Sequence, residues 1–86
     1  MSTNAFVVQV RDVRGKVIRP TVNKEWRLSS FLDNLERAFG GTEVQSIGLD
    51  DYIFSGEKHG NRTLGELGFI PNKQVVAYVT LSSGRS

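Results

Sequence analysis

A chain of 86 residues, 38% of them apolar, holds one small core and has no room for a second. It contains no cysteine, which excludes a disulfide framework, a thiolate metal site and a cysteine nucleophile. The net charge is +2, with seven Lys/Arg against four acids in residues 1–40 and four against five in residues 41–86, and this interleaving argues against the clustered cationic face of a nucleic-acid binder. No apolar run approaches the ~18 residues of a membrane span, and the start lacks the pattern of an export signal, so a soluble, unexported protein is expected.

In chain order, Phe6, Val8 and Val10 alternate with Val7, Gln9 and Arg11, the period of a half-buried strand. A turn through Asp12-Val13-Arg14-Gly15 leads to Lys16–Val22, which alternates again with Ile18, Pro20 and Val22 on one face. The two form a hairpin, and Pro20, having no N–H, places its second strand at a sheet edge. Leu28, Phe31, Leu32, Leu35 and Phe39 then recur at helical spacing. Ser29 or Ser30 is the expected cap, with Asp33 completing a capping box, and Gly40-Gly41 is the stop. Residues 42–51 read as a connection holding Val44, Ile47 and Leu49 without a period. Tyr52-Ile53-Phe54 is a third strand, followed by a Ser-Gly turn, a Gly-Asn turn and a short helical turn from Thr63 to Leu67. Val75–Leu81, rich in branched residues, is a fourth strand, expected at the sheet centre and parallel to the first. Residues 5–81 therefore make one domain, with 1–4 and 82–86 as flexible tails. The architecture is α+β, a mixed four- to five-stranded sheet with one long helix across one face.

No constellation of catalytic residues converges in the sequence, and a non-enzymatic chain without cofactor or metal is expected. His59 is the sole histidine and reads as a solvated loop residue rather than a ligand. Asp50-Asp51 and Glu43 read as polar approaches to a strand, Gly40-Gly41 as a helix stop rather than a phosphate loop, and Trp26 as a cover for one end of the core.

The whole pattern, from about Phe6 to Leu81, resembles the ubiquitin-like β-grasp family. Asp12–Ile18 is similar to that family's first hairpin, Leu28-Ser29-Ser30-Phe31 with Leu35 to its helix, Tyr52-Ile53-Phe54-Ser55-Gly56 to its third strand and following glycine, and Arg62-Thr63-Leu64 to the staple before the last strand. The resemblance implies an insertion between helix and third strand and a shortened loop at Glu57–Asn61. It also implies a protein-binding patch on the helix-free sheet face, at Val13, Ile53 and Tyr78 with Gly56 and Val76 beside them, rimmed by Arg11, Arg14 and Lys16. The alternation sets Ile53, Val76 and Tyr78 apart from inward-facing Phe54, Val75, Ala77 and Val79 independently of the resemblance. Their alternative roles are as strand formers on a half-covered face, or as a self-association surface. A conjugatable modifier would use Gly84 after loss of Arg85-Ser86, while Glu57 stands where ubiquitin has its main chain-building lysine. Accessory ubiquitin-like proteins of bacterial type VII secretion are a further likeness, through Leu64-Gly65-Glu66-Leu67-Gly68-Phe69. Protein partners, no small-molecule substrate, a monomeric state and a cytoplasmic location, with the nucleus also open, follow from the resemblance.

Overall fold

The structure, a computed structural model, describes residues 4–79. Strands β1 (Ala5–Val7) and β4 (Thr21–Asn23) pair with Phe6 opposite Val22, and β2 (Gln9–Asp12) and β3 (Val17–Ile18) pair with Val10 opposite Ile18. Both pairings keep one register, so the four segments are a single hairpin interrupted at Val8 and Pro20. The Val8 N–H donates to the Pro20 carbonyl at 3.2 Å, and Pro20 has no N–H to return. Val8, Val10 and Val22 are buried, with Phe6 and Ile18 packed against the core. Asn4, assigned to a tail by sequence, is held to this hairpin: its carbonyl accepts the Lys24 N–H at 3.0 Å. The remaining tail residues, with Thr80 and Leu81, lie outside the described residues.

Helix α1 (Leu28–Ala38) buries Leu28, Phe31, Leu32 and Leu35, with Phe39 buried just beyond it. Its start differs from expectation. Arg27 is the N-cap without a side-chain bond, and Ser29 and Ser30 lie inside the helix. The orphan donors of the first turn are met instead by a distant loop: Leu28 N–H donates to the Arg62 carbonyl at 2.8 Å and Ser29 N–H to the Gly60 carbonyl at 3.2 Å. Gly40 and Gly41, at φ 78° and 89°, end the helix, and Gly41 N–H reaches back to the Glu36 carbonyl at 2.7 Å.

Residues 42–51 are not a connection. Val44–Leu49 forms β5, a six-residue strand in the interior of the sheet. Ile47 and Leu49 alternate inward, and an irregularity between Val44 and Ser46 offsets Val44 by one residue, which hides the period of two. Asp50-Asp51 turns the chain into β6 (Tyr52–Ser55), an edge strand. Ser55 then caps a four-residue helix, α2 (Gly56–His59), where sequence suggested a loop. Helix α3 (Leu64–Leu67) lies within the short helical turn expected from Thr63 to Leu67, and it starts in a capping box between Thr63 and Glu66. Leu64 is fully buried, and Phe69 meets Phe31 edge-to-face at 5.3 Å. The last strand, β7 (Gln74–Val79), lies between β2, to which it is parallel, and β5, to which it is antiparallel, giving the order β3-β2-β7-β5-β6. The edge position of the Pro20 strand and the central position of β7 match expectation. Among the described residues, no helix is long and apolar enough to cross a membrane.

Asp12 is the buried charged residue among the described residues, 2% exposed. Its carboxylate accepts the backbone N–H groups of Arg14 and Lys16, each at 2.9 Å, and the Arg14 guanidinium at 3.0 and 2.9 Å. Burial pushes the Asp12 carboxyl up, but the Lys16 and Arg14 donors and the Arg14 charge outweigh it and hold the pKa below its ordinary 3.8. A lowered folded pKa stabilises the fold above the ordinary value and loses that contribution as pH falls through the folded one. Asp12→Asn is therefore expected to cost about 1–3 kcal/mol near neutral pH, since the amide cannot accept from both backbone and guanidinium. In chemical denaturation followed across pH, the gap between wild type and variant should close as pH drops below 3.8; a gap independent of pH would exclude this role for the charge.

Candidate protein-binding face

Side chains directed away from α1 form a row across the sheet. Ile53, Gly48, Val76, Arg11 and Val17 stand side by side on β6, β5, β7, β2 and β3. Ile53 is 62% exposed, Val17 41% and Val76 38%, whereas Val75 and Ala77, which alternate with Val76, are buried beneath α1. Tyr78 lies in the next row opposite Ser46, and Val13, 52% exposed, follows Asp12 in the turn beside it.

Gly48 makes this row into one surface. A Cβ built there would stand 3.1 Å from Tyr78 Cε2 and 3.2 Å from the Tyr78 hydroxyl, so the Tyr78 ring lies across the strand where a side chain is missing. Ile53 and Val76 flank that ring, both paired with Gly48. Gly48 does not stand out in the sequence because residues 42–51 show no period of two. The available signal was a glycine between Ile47 and Leu49, since a glycine inside an alternating run marks a close approach.

The expected site residues do not all share this face. Val13, Ile53, Val76, Tyr78 and Arg11 do. Gly56 does not: it opens α2 and faces the helix, where an added Cβ would stand 2.8 Å from Leu32 Cδ1. Lys16 lies opposite Asp12, whose side chain is inward, and its ammonium sits 6.0 Å from the centre of the Phe39 ring on the helix side. Arg14 is paired with Asp12 at 2.9 Å, which leaves Arg11 as the cation set directly among the apolar groups. Gly84 lies outside the described residues. His59 is not a solvated loop residue; it is half-buried at the end of α2, edge-on to Phe54 at 5.2 Å, with Nδ1 buried and without a hydrogen bond among the described residues. Asp50 belongs to the β5–β6 turn, at φ 56°, and pairs with Lys73 at 2.8 Å. Trp26 packs against the core at the start of α1, where its sequence position placed it.

No family model matches the sequence, and no curated protein matches it. Solved structures do. The chain is similar to the ubiquitin-like domain of an Arabidopsis thaliana protein, with TM-score 0.78 and 17% identity over 99% of this chain and 86% of that one. It is also similar to a de novo designed protein based on ubiquitin, with TM-score 0.72 and 14% identity over 99% of this chain and 100% of the other. The chain has the ubiquitin-like β-grasp fold, an α+β architecture with a five-stranded mixed sheet.

Because the atoms nearest the missing Cβ belong to a side chain, Gly48→Ala should be accommodated by rotation of the Tyr78 ring. Folding stability should change by less than about 1 kcal/mol, the gain in strand preference offsetting the displacement. The ring resonances of Tyr78 should shift in an NMR comparison while those of Val75 and Ala77 stay; an unmoved ring would show that it does not depend on Gly48.

Proposed function

We propose that this domain acts without catalysis, as a protein-interaction module whose docking surface is the helix-free face formed by Val13, Ile53, Val76 and Tyr78. The observation that carries the reading is the continuous apolar row across Gly48, in which Ile53 and Val76 stay exposed around an aromatic ring. Exposed apolar groups on a rigid sheet are a common basis for recognition, and a central tyrosine supplies large contact area with few rotatable bonds. Arg11, inside the row, favours a partner that presents a carboxylate beside its apolar contact. Arg14 contributes less to encounter, its charge being offset by Asp12.

The test uses Val76→Asp, placed at the centre of the row and away from both sheet edges. Proteins recovered with the wild-type domain from its native cells would be identified, purified and titrated against both forms by calorimetry. An anchor at the centre of an interface is worth about 2 kcal/mol or more, so at least a ~30-fold loss of affinity is expected. The variant, losing only about 1 kcal/mol of strand preference, stays folded at the temperature of the titration. Equal affinity of the folded variant would remove this face as the docking surface.

A further inference from the structure

The two edges of the sheet differ in how they meet solvent. The hairpin edge carries Pro20 with Lys16, Arg19 and Lys24, the kind of charge and proline placement that discourages a further strand. The β6 edge reads Tyr52-Ile53-Phe54-Ser55, without charge or proline and in regular register with β5. Among the described residues no strand covers it, and Tyr52 and Ile53 are 67% and 62% exposed.

Its backbone is directed for pairing. Asp50-Asp51 is a two-residue turn, so the flanking Leu49 and Tyr52 exchange their backbone bonds, and antiparallel alternation gives the same arrangement to Ile47 and Phe54. The N–H and C=O groups of Ile53 therefore turn outward, as does the Ser55 N–H, while the Ser55 carbonyl accepts the first bond of α2 as its N-cap. Ile53, in the middle of the strand, offers a donor and an acceptor together.

From this we infer that β6 pairs antiparallel with β6 of a second copy of the chain, about a two-fold axis at Ile53. In that register the two Ile53 residues exchange both backbone bonds. Tyr52 of each copy lies opposite Phe54 of the other at the closely spaced positions, aromatic against aromatic on the helix side. Asp51 lies opposite Ser55, and no like charges face each other. A two-fold axis at Phe54 would set Tyr52 against Gly56, which already belongs to α2, and would leave one aromatic pair, Phe54 against Phe54, in place of two. This self-complementarity favours a second copy over an unrelated extended peptide. Two four-residue strands bury less than the ~1,200 Å² of a stable complex, so the dimer is weak and rapidly exchanging. It replaces the monomer only at high concentration, and joins two five-stranded sheets edge to edge.

Sedimentation velocity of the intact chain, from micromolar to about millimolar concentration, tests the inference. The sedimentation coefficient should climb toward that of a dimer. Ile53→Lys, which places a charge at the centre of the edge, and Ile53→Pro, which removes an N–H that β5 does not use, should each stay monomeric. Ile53→Cys adds the chain's single thiol at a position where paired Cα atoms stand about 5.5 Å apart, within disulfide reach, so it should cross-link at least tenfold faster than Val17→Cys at the other edge. A monomer throughout the range, a dimer that survives Ile53→Lys, or equal cross-linking at the two edges overturns the inference.

Discussion

The parallel contact between β2 and β7 is the constraint on which the other elements depend. It sets Val10 beside Val75 and Asp12 beside Ala77, all buried. Parallel neighbours cannot be joined by a tight turn, so the whole chain between Asp12 and Gln74 acts as one long connection that must leave the sheet, cross a face and return. The hairpin extends the sheet on one side of this pair, β5 and β6 extend it on the other, and α1 covers the face that the pair turns inward. The burial of Asp12 follows from the same contact. At the end of a strand fixed by β7, its carboxylate has no route to solvent and is satisfied by the turn it closes.

What the sequence reveals depends on whether the cause of a feature lies nearby. The alternation of Phe6, Val8 and Val10 and the helical spacing of Leu28, Phe31, Leu32 and Leu35 are local patterns, and both appear in the structure where their residues place them. The short turn of Thr63–Leu67 is equally legible, because its cap, Thr63 with Glu66, lies within four residues. The start of α1 is not, because its donors are met by carbonyls of residues 60 and 62. Strand β5 was hidden for a different reason: the offset at Val44 breaks the alternation, and Gly48 supplies no side chain to count. Without β5, Tyr52–Phe54 is the next strand that the pattern shows after the helix. It is instead the edge strand, one place further from β7.

That displacement changes how the candidate face is built. Ile53 and Val76 do not touch as neighbours in adjacent strands; they meet across a strand that carries glycine at the crossing, with the Tyr78 ring laid over it. Contributions from three strands thus form one surface, and its continuity rests on an absent Cβ. Charge is distributed with similar economy. Arg14 stabilises the turn, Lys16 lies toward Phe39, and Arg11 remains among the exposed apolar groups.

The distant capping of α1 also bears on how the protein is made. On the ribosome the amphipathic segment 28–38 appears well before the carbonyls of residues 60 and 62 that receive its first donors, and before the strand at 74–79 that gives it a sheet to cover. Until that strand has left the exit tunnel, Phe31, Leu32 and Leu35 have no completed core to enter. Through that interval the apolar stripe of the helix lacks the sheet that buries it. Strand β7 supplies the centre of the sheet and the surface that the helix covers together, so the core closes only when it joins.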